Sequence, residues 1–329
     1  MISTDSRLKI VGRCFQQLVL KRDMSGASSK GLFVETLQFS SPKLTNEISD
    51  IKEETTVVLH GLLGTGRNLR TFVNMLFNTA VAQEGVPQRH KVMLMDLRHH
   101  GNTNAIYSPK TEDTLENAAR DVLDALRVNG TGSEKSVRII GHSLGGKVAL
   151  AAAGISQIPC QVWTLDSFPF SFDETSKRNA LGVLKVLETI EGIVQPLETR
   201  EELYEILENH GFEKNVQQWL GSNLVGDNDN GYVWNFHIPG VFNLYRDYSK
   251  SDYSDLLHDT RDHSIGIVRA LLSRGWDENS IDKLGKISRQ ENGTDVYELD
   301  NAGHWLHAQN PKGLVDLMLS SNKFTLPNT

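Results

Sequence analysis

The sequence predicts an α/β protein, a mostly parallel, doubly wound sheet interrupted by a helical insertion. Three observations carry this expectation. Short runs such as "TTVVLHG" (55–61), "HKVMLMDLR" (90–98) and "CQVWTLDS" (160–167) are apolar without polar alternation, as strands buried on both faces of a parallel sheet are. Helical patterns separate these runs, which is what parallel crossovers require. From Phe168 to about Arg261 helical patterns follow one another with no strand between them, a stretch too long for a plain loop.

In chain order, the first thirty residues stand apart. Arg7, Lys9, Arg13, Lys21, Arg22 and Lys30 face few acids, and Leu8, Val11, Phe15, Leu18 and Val19 recur at helical spacing before a Ser/Gly-rich patch. This reads as an organelle transit peptide, with a plain surface-helical or disordered tail as the alternative, and residues 1–30 are set outside the fold. "LFVETLQF" (32–39) is a first strand, and "RNLRTFVNMLFNTA" (67–80) has helical periodicity. "TEDTLENAARDVLDALRVNG" is a helix, with Thr111 or Asp113 placed to cap its start and Gly130 just past its end. "SVRIIGHS" is a strand and "LGGKVALAAAG" opens a helix. Beyond the insertion come a strand "SIGIVRALLS" (264–273), a helix "DENSIDKLGKI" (277–287), a strand in "TDVYELDNAGH" and a last helix "PKGLVDLMLSS". The division is a leader at 1–30, a sheet domain at 31–168 and 262–329, and a helical cap at 169–261.

Composition narrows the function. The 329 residues are 39% hydrophobic and 23% charged, as in ordinary globular chains. A formal charge of −7 argues against non-specific nucleic-acid binding. Cys14 lies in the leader and Cys160 in the body, which suggests no disulfide framework and fits a reducing compartment. No apolar run approaches the roughly 18 residues of a membrane span.

"IIGHSLGGK" is the most specific feature. Gly141-His142-Ser143-Leu144-Gly145 matches G-x-S-x-G between a β-rich run and an Ala-rich helix. That turn is so tight that its serine is strained and the positions two before and two after must lack bulk. A serine needs a base. His304, in "ELDNAGHWLH", follows the last strand and so shares the edge of the sheet with Ser143. His99 and His100 are read as residues of a polar loop, and His307 as structural. For an oxyanion hole, Leu144 N–H follows the nucleophile directly, and "HGLLGTG" (60–66) offers Leu62 N–H. That loop lacks the Lys-Ser/Thr of a phosphate-binding loop and the spacing of a dinucleotide fingerprint.

With these residues in place, the sequence resembles the α/β-hydrolase fold superfamily from about residue 32 to its end. It is most similar to the group of YbfF-like esterases and abhydrolase domain-containing protein 11. "LHGLLGTGRN", "MDLRHHGNT", "GHSLGGKVAL", "LDSFP", "YVWNFHIP" and "AGHWLHAQNP" carry the resemblance. It implies a hydrolase of small-molecule esters or thioesters with a helical cap after the sixth strand and no cofactor, and no metal is assigned. The animal member of the group is mitochondrial, which implies the same for a chain with this leader; without the leader the expectation is cytoplasmic.

The sequence departs from the superfamily in one place. The usual acid follows the seventh strand in a Gly-x-x-Asp signature, and here "RGWDENS" follows it. Asp277 is nearby, but it precedes a helical pattern, where aspartate is a good N-cap. Asp166 ends the strand after the nucleophile helix and shares the edge of Ser143 and His304, so it is the favoured acid, with Asp277 the alternative. Two further readings stay open: a ligand- or partner-binding protein without catalysis, and a serine-dependent C–C bond hydrolase.

Overall fold

The computed structural model describes residues 31–41, 53–83, 89–130, 136–173, 182–226, 231–258, 260, 263–288, 294–321 and 324. The leader assigned to residues 1–30 lies outside them. The strands are β1 (Val34–Ser40), β2 (Glu53–Leu59), β3 (Arg89–Met95), β4 (Val137–His142), β5 (Cys160–Leu165), β6 (Leu224–Gly226), β7 (Tyr232–Trp234), β8 (Ser264–Ala270) and β9 (Asp295–Leu299). The helices of the first half are α1 (Arg70–Ala82), α2 (Gly101–Ile106), α3 (Leu115–Asn129) and α4 (Leu144–Ile155). The insertion holds α5 (Val183–Glu191), α6 (Arg200–Asn209), α7 (Lys214–Gly221), α8 (Ile238–Lys250) and α9 (Ser254–His258). The chain returns with α10 (Glu278–Ser288), α11 (Leu306–Gln309) and α12 (Pro311–Ser320).

Seven strands form one sheet in the order β1-β3-β2-β4-β5-β8-β9. Only β1 runs antiparallel, against β3; every other pairing is parallel. The missing polar alternation has a direct cause. Val57, Ile139 and Val162 face the layer of α3 and α4, while their neighbours Val58, Ile140 and Trp163 face the layer of α1 and α12. Both faces are covered, so consecutive residues are buried on opposite sides.

Register sets the site. Gly141 pairs with Leu59 on one side and Thr164 on the other, and Leu165 pairs with Val268. The carboxyl ends of β2, β4, β5 and β8 are therefore level, and the loops after them open on one edge.

The insertion follows β5, the fifth strand among the described residues rather than the expected sixth. It has its own apolar cluster, with Leu187, Ile190, Leu203, Leu207, Leu220 and Val241 at its centre. It is not purely helical, since β6 and β7 pair as an antiparallel ribbon. Strands of three residues are too short to leave a period in the sequence. The cap of α3 also differs from the expectation. Thr114 Oγ1 accepts from Asn117 N–H, because Asp113 is held by His99 and Thr111 by Arg98. The polar loop expected around His99 and His100 is in fact buried and runs straight into α2.

Candidate active site

The turn between β4 and α4 places Ser143 in strained backbone, at φ 51° and ψ −117°. Only a bulk-free turn allows it. A Cβ on Gly141 would collide with the carbonyl of Gly145, and one on Gly145 would lie 2.6 Å from the carbonyl oxygens of Leu59 and His60. The elbow is tied to the next strand as well. Ser143 N–H donates to Leu165 O at 3.1 Å, and Ser167 Oγ donates to Ser143 O at 2.6 Å.

The structure brings Ser143, His304 and Asp166 together. His304 Nε2 accepts from Ser143 Oγ at 3.1 Å, and His304 Nδ1 donates to Asp166 Oδ2 at 2.8 Å. Asp166 also has a positive φ, 45°. Its side chain is 1% exposed, against 22% for His304. The carboxylate accepts from Ala270 N–H at 3.1 Å, Ser273 Oγ at 2.6 Å and Trp276 Nε1 at 2.8 Å. Burial alone would push this carboxyl up. The hydrogen bond and charge of His304, with Ser273 and Trp276, outweigh burial and hold it below its ordinary value.

Asp277 is elsewhere engaged. Its Oδ1 accepts from Ser280 N–H at 2.8 Å and Ser280 Oγ at 2.6 Å, at the start of α10. That is the N-cap arrangement.

Leu62 and Leu144 line the same cavity as Ser143 and His304. Leu144 is the first residue of α4, so its N–H lies ahead of the helix's own hydrogen-bond ladder. The loop carrying Leu62 is braced by two buried histidines. His60 Nδ1 donates to Gly61 O at 2.7 Å, and its Nε2 accepts from Leu97 N–H at 2.9 Å. His100 Nδ1 donates to Arg98 O at 2.8 Å, and its Nε2 accepts from Leu63 N–H at 3.1 Å. Each ring donates at one nitrogen and accepts at the other, so both are neutral. Burial lowers both pKa values, that of His100 well below the usual imidazole range.

The histidine loop has a brace of its own. His142 Nε2 donates to His304 O at 2.8 Å, and its ring lies 4.8 Å from that of His304 and 4.7 Å from that of His307. Burial, with His307 and His304 adding to it, holds the His142 pKa well below the imidazole range. Burial likewise lowers His307 to about 4.

These braces, and the donors Ser273 and Trp276, escape sequence reasoning because each works through a partner distant in the chain. The one available signal is "RHHG" after β3, where His100 reaches the glycine-rich loop while His99 turns to Asp113. Asp96 fixes that region, accepting from Gly66 N–H and Asn102 N–H at 2.8 Å each, and Arg98 pairs with Asp121.

The cavity measures about 80 Å³ and is walled by Leu62, Phe168, Phe172, Val183, Tyr245, Tyr248 and Trp276. Ser143, Asp166 and His304 line its polar end. Among the described residues, no group of three or more His, Cys, Asp or Glu side chains is arranged to hold a metal ion. No described helix is long and apolar enough to cross a membrane.

Known proteins share this architecture. The chain is 27% identical over 297 residues to the sn-1-specific diacylglycerol lipase ABHD11 of Danio rerio, covering 87% of this chain and 84% of that protein. It is 22% identical over 264 residues to the esterase YbfF of Escherichia coli, covering 79% and 89%. A solved marine microorganism esterase superposes with a TM-score of 0.68 at 23% identity, over 88% of this chain and 98% of that one; at that identity the likeness speaks for the fold. The sequence model of the alpha/beta hydrolase family matches residues 56–317, which takes in the elbow, the insertion and the histidine loop, and the chain belongs to that family.

Proposed function

We propose that the protein is a serine hydrolase that cleaves carboxylic esters, and by the same acyl chemistry thioesters, through an acyl-enzyme on Ser143. One observation carries this reading: an unbroken line of hydrogen bonds from Ser143 through His304 to Asp166, beside an apolar cavity. Relatives named as a lipase and an esterase support the ester as substrate.

In this reading His304 Nε2 takes the Ser143 proton as Oγ attacks the carbonyl carbon. The N–H groups of Leu62 and Leu144 hold the resulting oxyanion. His304 then protonates the departing oxygen or sulfur, leaving the acyl group on Ser143. Water, activated by the same imidazole, attacks the acyl-enzyme, and Ser143 recovers its proton as the acid leaves. Asp166 keeps Nε2 free to accept and stabilises the imidazolium. Residues 31–168 and 262–329 act as the catalytic domain, and 169–261 as the cap that roofs the acyl site.

The test is a fluorophosphonate probe together with turnover of p-nitrophenyl esters from acetate to octanoate and of acyl-CoA thioesters. Ser143→Ala should lose labelling and at least about 10⁴-fold in kcat. A wild-type protein that neither labels nor turns over any of these substrates overturns the reading in favour of a binding role. Labelling that survives in Ser143→Ala moves the nucleophile elsewhere.

A further inference from the structure

Lys147 lies on the first turn of α4, one turn after Ser143, and is fully buried. Buried lysines are rare and need a reason. Its Nζ donates to Phe170 O at 2.8 Å, Tyr248 O at 2.5 Å and Ser251 O at 2.8 Å. Three carbonyl acceptors match the three donors of a protonated ammonium. These carbonyls come from both ends of the insertion: Phe170 lies where the chain enters it, and Tyr248 and Ser251 lie at the end of its last long helix, α8. The same two segments bond to each other, Phe172 N–H to Ser249 O at 2.8 Å and Tyr253 N–H to Pro169 O at 3.0 Å. The ammonium also lies 4.4 Å from the ring centre of Tyr248 and 5.7 Å from that of Phe172, and both rings wall the cavity.

We infer that Lys147 is a positioning residue that fixes acyl-chain specificity, pinning both ends of the cap to the nucleophile helix and so setting where Phe172 and Tyr248 stand relative to Ser143. The inference rests on the serine-hydrolase reading for its effect on substrates, but not for its effect on the cap. Without the cation, three carbonyls converge with no ammonium between them, one in a buried bond and two in partly buried ones, and the two cap ends lose the group that draws them onto α4. The wall of the acyl site then moves while the elbow, held by β4, β5 and Ser167, stays in place. A substrate whose acyl group is too short to reach the wall should not register the change.

The experiment compares Lys147→Met with wild type in two readouts. In the first, kcat/KM for p-nitrophenyl octanoate should fall about tenfold or more, mainly through KM, while that for p-nitrophenyl acetate stays within about threefold. In the second, which needs no activity, hydrogen exchange should speed up about tenfold or more in peptides spanning 168–173 and 248–253, with β4 and β5 still protected. Equal losses on both esters, or none, overturn the specificity role. Unchanged exchange in the two cap-end peptides overturns the pin itself, whatever the enzyme hydrolyses. If Lys147→Met does not fold, Lys147→Gln is read in the same way. Wild-type protein inactive on every ester, with the exchange effect present, locates the failure in the proposed reaction rather than in the pin.

Discussion

The loop after β5 and the loop after β8 open on the same edge of the sheet, next to each other, yet they contribute opposite chemistry. The first holds the carboxylate, Asp166. The second holds no carboxylate facing the imidazole; it holds donors. Ala270 N–H, Ser273 Oγ and Trp276 Nε1 all point at Asp166. The loop after β8, where the resemblance to the superfamily implied the acid, thus forms the hydrogen-bond shell of a carboxylate one strand away. On the proposed reaction the site needs a charged carboxylate at His304 Nδ1, and adjacent parallel strands can supply it from either side provided the neighbour supplies donors.

Asp166→Asn should show the largest effect on that contrast. The amide can present the wrong hydrogen-bonding group to Nδ1, and kcat should fall roughly 10⁴-fold with the fold intact by circular dichroism. The same variant has a pH signature. The Asp166 carboxyl is held below the ordinary aspartate value, so it stabilises the fold above that ordinary value and ceases to do so as the pH falls through the lowered one. Thermal melts of wild type should therefore lose stability on that acidic limb, and Asp166→Asn should flatten it.

Next come the donors. Trp276→Phe and Ser273→Ala each leave a buried carboxylate one partner short, which costs about 1–3 kcal/mol and should lower kcat by about tenfold or more. Values indistinguishable from wild type for both would reduce the second loop to packing. Asp277→Ala should do least to the chemistry. It removes an N-cap worth about 1 kcal/mol of stability and should leave kcat within about twofold. A collapse of kcat in this variant, with Asp166→Asn active, would reverse the assignment of the two loops.

How far the sequence reveals these features follows the same division. The elbow is legible because a strained serine between a strand and a helix demands Gly141 and Gly145 at fixed spacing. The sheet is legible because two covered faces remove polar alternation from β2, β4 and β5. Asp166 is accessible as the residue just past the end of an apolar strand, through the rule that parallel strands end level. The remainder depends on partners that pattern alone does not pair. Nothing local marks Trp276 as a donor to a residue 110 positions away, or His142 as the tether of a carbonyl 162 positions away. The cap shows a similar limit: its helices are legible from their apolar stripes, but the β6–β7 ribbon and the way the ends meet at Lys147 are not.

On the proposed reaction, the positive backbone angles of Ser143 and Asp166 set catalysis against durability. Each residue holds a conformation that glycine adopts freely and other side chains resist. Glycine at position 143 would relax the elbow while removing the hydroxyl that bonds His304, so on the proposed reaction this chain becomes sturdier there only by becoming inert. Thermostabilising substitutions for this protein should accordingly be sought away from the carboxyl edge of the sheet.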